Sequence, residues 1–235
     1  MADSDDKRQM TARHSEILRK IRPGGGPEDF DRWQQRKGLL TREAMLDASV
    51  DCLVESGYAG LSTNDVARRA GVSRGAMHHH FATRIALVEG LIEHIFYRRM
   101  RQFLDDFAQA LEECGKRGFN VLPHVLAVEL HWQTMQTKDY EAYLRLAVAA
   151  RNDDDLARVF QPAAKRFDEV WMDEMAHAFP QWHHARQLMT LASDMTQAVH
   201  IGLLVNGSTM GEARSRLLQE HLAMSVNMLA ERAEI

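Results

Sequence analysis

The sequence predicts an all-α chain in which a small three-helix domain carrying a helix-turn-helix precedes a larger helical domain. Three observations carry this expectation. From residue 40 onward apolar residues recur at the three-to-four spacing of helices, and no convincing alternating pattern marks a strand. Only five prolines occur in 235 residues, and two of them fall in one stretch, "RPGGGP". Between Gly57 and Thr83, cap residues and glycines punctuate two short apolar segments joined by "AGVS", the spacing of a helix-turn-helix.

Residues 1–37 are expected to form a flexible arm. Within it "TARHSEILRKI" can make a short docking helix with Ile17, Leu18 and Ile21 on one side. A helix of that length is marginal alone in water, and "RPGGGP" behind it reads as a linker. Arg32, Arg36 and Lys37 could reach a minor groove, or could simply be a solvated tail.

Residues 38–87 form the small domain. In "LTREAMLDASVDCLVESGY", Met45, Ser49, Cys52, Leu53 and Ser56 share one helical face, and Gly57 stands where a helix stops. Ser62 and Asp65 fit a capping box that opens "TNDVARRA", with Gly71 as its end. Ser73 caps "RGAMHHH", and Thr83 caps a long helix that reaches about Glu113.

Residues 88–235 supply further helices over 121–136, 138–151, 153–178, 183–206 and 209–232. The breaks between them are "GKRGF", "QTKD", "RNDDD", "FPQW" and "NGSTMG". Asp153, Asp154 and Asp155 suit the positive end of the helix that follows them, a commoner use of consecutive carboxylates than metal binding.

Composition narrows the function classes. No apolar run approaches the roughly 18 residues of a membrane span, so no membrane partner is expected. "MADSDDKRQM" lacks the apolar core of a secretory signal. Cys52 and Cys114 are not spaced as a CxxC redox or zinc site, which points to a reducing, cytoplasmic setting. The net charge is −4, but residues 1–86 hold 14 Lys/Arg against 12 Asp/Glu and the remainder 15 against 21. A polyanion would therefore meet the front of the chain.

The run "TREAMLDASVDCLVESGYAGLSTNDVARRAGVSRGAMHHHFATRIALVEGL" resembles the DNA-binding domain of the TetR family of bacterial transcriptional regulators. The resemblance implies DNA contacts from Thr63 and Asn64 at the first turn of the second helix. It also places Arg84 where the family has a phosphate-binding lysine. Thr63 as a plain helix-start residue and Arg84 as a solvated charge are the simpler alternatives.

The residues of the third helix support the same use. Gly75 and Ala76 keep its entry thin enough for the major groove, and Arg74 suits bidentate bonding to guanine. Ser73 offers a hydroxyl and helix-end amides to a phosphate. Successive residues turn by about 100°, so Arg74, Gly75, His78 and His79 share one face, while His80 turns inward with Met77. His78 replaces the family's usual tyrosine and His79 keeps its histidine; both would meet phosphates. Three consecutive histidines cannot converge on one ion, so neither a metal nor a cofactor is expected. Ala82, Ile85 and Leu53 depart from common family residues, and Ile85 could pack against the arm.

By the same resemblance, residues 88–235 would bind an effector and form a homodimer through the last two helices. Gly202, Gly207 and Gly211, with Leu218, Leu222 and Leu229 as a stripe, fit that use, although an ordinary core would look similar. Candidate pocket residues are Phe103, Phe107, His131, Trp132, Met135, Tyr143, Trp171, Met175 and His200. Such an aromatic, Met-rich group would take a small hydrophobic effector.

The expected function is a repressor, not an enzyme. It would hold a palindromic double-stranded DNA operator as a dimer, with recognition helices about 34–36 Å apart, and be released by the effector. A ligand-independent DNA-binding regulator is the alternative. A histidine- or metal-dependent hydrolase built on His177, His183 and His184 is disfavoured, because the chain has neither HExxH nor GxSxG.

Overall fold

A computed structural model describes residues 16–21, 33–117, 122–179 and 182–233, and no strand occurs among them. The helices are α1 (16–21), α2 (Trp33–Gly60), α3 (Thr63–Arg69), α4 (Arg74–His80) and α5 (Arg84–Arg117), then α6 (Pro123–Met135), α7 (Lys138–Ala149), α8 (Asp154–Ala178), α9 (Arg186–Met210) and α10 (Glu212–Ala233). They form two compact units. The first contains α1 to α4, α5 as far as Arg101, α7, and α8 as far as Val170; the second contains the remainder.

In the first unit, α2 starts at Trp33, so residues 33–37 are helical rather than part of an arm. The segment "WQQRK" has no proline, and Gln, Arg and Lys are good helix formers, so nothing stops the helix from propagating backwards. "RPGGGP" and Arg32 lie outside the described residues. On α2, Met45, Ser49, Cys52 and Leu53 are buried as their spacing predicts; Ser56 is exposed and bonds the carbonyl of Cys52. Gly57 has φ 70° and ψ 176°, a region open essentially to glycine, and it bends the chain sharply there.

The caps fall where the sequence puts them, but Ser62 and Asp65 do not close a capping box, because Asp65 accepts from Arg68 instead. Ser62 Oγ accepts from the Asn64 amide at 3.2 Å, Ser73 Oγ from Ala76 at 3.1 Å and Thr83 Oγ1 from Ala86 at 3.1 Å. Gly71, with φ 67°, makes the turn between α3 and α4. Val66, Ala67, Met77, Phe81 and Leu87 bury their side chains in this unit. Each large apolar group so buried contributes about 1.5–3 kcal/mol.

α5 approaches the end of α4 closely. A Cβ at Gly90 would stand 2.8 Å from Arg42 Nη2 and 3.0 Å from the Phe81 ring. Polar ties join α2, α5 and α7. Asp47 Oδ1 accepts from His94 Nε2 at 2.8 Å and from Arg98 Nη1 at 2.6 Å, while Arg98 Nε reaches Asp139 Oδ2 at 2.8 Å. Lys138 pairs with Asp51 at 2.9 Å. At the start of α8, Asp153 Oδ1 accepts from the Leu156 amide at 2.8 Å, which is the capping role.

In the second unit, α10 packs against α9 and α6. Phe103 and Phe107 of α5, Leu126 of α6, Met172 of α8, Val226 of α10 and Trp182 belong to the core of this unit. α9 begins at Arg186, because tight turns hold 182–185, and it runs through Gly207 to stop at Gly211, where φ is 80°. By length and composition alone this helix is apolar enough to cross a membrane, which the short apolar runs of the sequence did not suggest.

The expected stripe on α10 shares one helical face but is not uniformly buried. Leu222 is buried with Val226 and Ala230, Leu229 is half-buried, and Leu218 is exposed. A second, exposed apolar face of α10 carries Leu217, Met224 and Met228. Both sides of this helix carry large apolar residues, so periodicity could not choose between them.

Candidate nucleic-acid interface

α4 is a seven-residue helix whose two sides differ sharply. Met77 is 1% exposed and anchors it to the core of the unit. Arg74, Gly75, His78 and His79 are all exposed, and no carboxylate occurs in "RGAMHHH". His80 is half-buried, and its ring meets that of His79 edge-on at 5.3 Å. Burial lowers its pKa from the ordinary 6.5, and neighbouring His79 and Arg42 lower it further. The triple histidine thus divides into an outward pair and an inward single residue. Among the described residues, no three His, Cys, Asp or Glu side chains gather as a metal site.

On α3, Asn64 is exposed and Thr63 half-buried beside the Ser62 cap. The basic residues of this helix are engaged locally. Arg68 pairs with Asp65 at 2.5 Å, and Arg69 pairs with Glu55 of α2. Ser73 spends its oxygen on the Ala76 amide, but a hydroxyl that accepts can still donate.

Arg84 makes contacts that the sequence did not indicate. Its Nε donates to the Leu61 carbonyl at 3.0 Å, its Nη2 donates to the Tyr58 carbonyl, and its guanidinium lies 4.2 Å from the Tyr58 ring centroid. The two carbonyls belong to the turn between α2 and α3, so Arg84 braces that turn from the first position of α5. The residue stays exposed and neither bond uses Nη1, so bracing this turn is compatible with the phosphate contact expected of it. Ile85 is half-buried next to it; most of the arm it was expected to meet lies outside the described residues. Arg36 and Lys37 are exposed in the first turns of α2.

A family model described as bacterial regulatory proteins, tetR family, matches residues 45–91, the span from the core face of α2 to the start of α5. The chain is also 30% identical over 155 residues to an HTH-type transcriptional regulator of Mycobacterium bovis, covering 64% of this chain and 76% of that one. This chain belongs to the tetR family. It is accordingly a transcriptional regulator with a DNA-binding helix-turn-helix, not an enzyme. Two solved structures share the fold. One is a transcriptional regulator from Rhodococcus sp. Rha1, 18% identical with a TM-score of 0.56, covering 83% of this chain and 98% of that one. The other is the multidrug binding protein EbrR complexed with proflavin, 17% identical with a TM-score of 0.53, covering 80% and 99%.

In this tetR-family chain, the structure brings most of the candidate pocket residues together in the second unit. Phe103 stacks on Phe107 at 5.8 Å and meets Trp171 edge-on at 4.6 Å. His131 lies between Trp171 and His200, and Trp132 flanks His200 at 5.3 Å. Met175 joins the same core, and Met135 is buried. His131 Nδ1 and His200 Nδ1 are 2.9 Å apart, so one ring donates and the other accepts. Burial pushes the His200 pKa down to about 4, which keeps that imidazole neutral.

Tyr143 does not join this group. It lies in the first unit against Phe96, Tyr140 and Phe160, beneath the guanidinium of Arg99. A separate cleft of about 380 Å³ in that unit is lined by Arg42, Glu93, Arg158, Pro162 and Arg166 among others, and by none of the candidate residues.

Arg99 itself went unread. It is 9% exposed, and its Cζ lies 4.2 Å from the ring centroid of Tyr143, 4.4 Å from Tyr140, 5.1 Å from Phe167 and 5.9 Å from Phe96. The signal was present: Ile92, Ile95, Phe96, Arg99, Met100 and Phe103 form one apolar stripe on α5, with a single cation inside it.

Proposed function

We propose that this regulator is a repressor that binds a palindromic double-stranded operator as a homodimer and leaves it when a small effector binds. The observation that carries the reading is the exposed face of α4. Arg74 presents a guanidinium suited to guanine, Gly75 allows close approach, and His78 and His79 extend the donor surface. Thr63, Asn64 and Ser73 stand at the neighbouring helix starts, where backbone phosphates are reached. Arg84 serves this surface by holding the turn that orients α3.

Three further features support the finer parts. A palindrome needs two copies, and Val205 on α9 with Leu217, Met224 and Met228 on α10 are more than half exposed, an apolar face suited to a second chain. The aromatic and histidine group of the second unit has the chemistry of a small-molecule pocket. EbrR, of similar fold, is a multidrug binding protein solved with proflavin, which favours a small-molecule effector here too. The effector acts by its differential affinity for DNA-competent and DNA-incompetent states. The site of action is the bacterial cytoplasm, where the operator lies.

Gel-shift titration of the upstream DNA of its own gene tests the reading. Arg74→Ala should relax discrimination at one base pair by about 1–3 kcal/mol while leaving non-specific binding in place. Folded protein that binds no upstream fragment at low salt would overturn it.

A further inference from the structure

We propose that the first unit holds an effector site of its own, distinct from the aromatic group of the second unit, in which Arg99 recognises a carboxylate carried on an aromatic or branched apolar body. The inference rests on the reading of the chain as effector-responsive and deepens it by giving the ligand a charge.

Arginine keeps its charge at any physiological pH, so burial cannot be relieved by losing a proton. Taking such an ion out of water costs several kcal/mol unless partners replace the lost hydration. The four rings around Arg99 supply part of this through their π faces. Two of the rings carry phenolic oxygens, but Nε and Nη1 hydrogen-bond neither these nor any other acceptor among the described residues. Unmet buried donors carry a further cost, so the arrangement is expensive unless an anion comes to it.

The nearby carboxylate does not fill this role. Asp139 favours the charged state of Arg99 through space, but its Oδ2 takes Arg98 Nε and its Oδ1 has no hydrogen-bond partner. One fixed cation with donors to spare, enclosed by aromatic walls, matches a carboxylate with an apolar body. A neutral ligand would satisfy the rings and leave the guanidinium as it is. Two of the walls, Tyr143 on α7 and Phe167 on α8, are half-buried, so their side chains can swing to admit a ligand without unpacking the core.

The position also suggests how binding would be felt. Arg98, the preceding residue, holds Asp47 of α2 and Asp139 of α7. A carboxylate arriving at Arg99 adds negative charge one residue from the tie between the helix-turn-helix and its support.

The test uses the full-length protein and matched probes at constant ionic strength: benzoate, phenylacetate and octanoate against benzamide, phenylacetamide and octanamide. Thermal shift and calorimetry should show binding by at least one carboxylate and none by its amide, with Kd weakened at least about tenfold in Arg99→Met. Without ligand, Arg99→Met should melt at or above the wild-type temperature, because an apolar chain of similar length replaces an ion that is only partly compensated. Amides binding as well as carboxylates, no carboxylate binding, a response that survives Arg99→Met, or a ligand-free variant that melts lower would each overturn the assignment. Operator release, followed by fluorescence anisotropy, separates this from the parent reading. Release by amides alone keeps effector control and sinks the carboxylate; Arg99-dependent carboxylate binding without release does the reverse.

Discussion

Arg98 on α5 holds Asp47 on α2 at 2.6 Å, and the carboxylate oxygen it uses also receives His94 Nε2 at 2.8 Å. One exposed aspartate on the first helix of the DNA-binding domain thus anchors two residues of the helix that supports it. The hydrogen bond from His94 is the largest cause holding the Asp47 carboxyl below its ordinary 3.8; partial burial opposes it, and the charges of His94 and Arg98 reinforce it. A depressed folded-state value stabilises fully above the unfolded value and is lost as pH falls through the folded one. Asp47→Asn should lower stability at neutral pH by about 1 kcal/mol and flatten the loss that sets in as pH falls below about 4. Thermal melts across that range check both effects.

Arg84 offers a test of brace against phosphate contact. Arg84→Lys keeps the charge but cannot reproduce the guanidinium bonds to Tyr58 and Leu61 together with stacking over the Tyr58 ring. Melting should fall by the equivalent of about 1–2 kcal/mol, with the salt dependence of DNA binding unchanged. A salt slope that drops by about one unit in Arg84→Met, with unaltered melting, would restore the phosphate role.

The His131–His200 pair predicts a pH profile for the second unit. His200 stays neutral down to about 4 in the folded chain, whereas an unfolded histidine takes up its proton near 6.5. Between those values the unfolded state binds more protons, so stability is full above about 6.5 and lost as pH falls toward 4, by up to roughly 3 kcal/mol. Urea midpoints at about pH 7, 5.5 and 4.5 should drop less in His200→Phe than in wild type.

A dimer through the exposed faces of α9 and α10 predicts that Leu217→Glu combined with Met224→Glu yields a folded monomer by light scattering. Charges placed in an apolar interface remove its driving force and add a desolvation cost. The monomer should lose most affinity for a two-half-site operator and retain weak binding to one half-site. An unchanged dimer would move the interface elsewhere.

The sequence announced the helix-turn-helix through local chemistry. Ser62, Ser73, Thr83, Gly57 and Gly71 act on neighbours a few residues away, so their spacing is nearly their geometry. Outward His78 and His79 and inward Met77 follow in the same way from the helical period. What escaped depends on distant partners. Tyr143 looked like any pocket aromatic, and its placement is decided by Arg99, 44 positions earlier. Arg84 reads as a free cation until the carbonyls of Tyr58 and Leu61 are brought beneath it. On α10, apolar residues on both sides hid which face is buried, and "WQQRK" carried no stop signal to set the start of α2.

Gly90 gives the DNA-facing helix little freedom of its own. Arg42 Nη2 and the Phe81 ring already stand 2.8 and 3.0 Å from where a Cβ would be, so α5 meets the end of α4 with no side chain between them. Alanine there would displace the end of the Arg42 side chain and require the Phe81 ring beneath α4 to yield by a few tenths of an ångström. Variants that retune operator geometry should therefore be rare inside α4 and its seat, and common where whole blocks of helix can shift together.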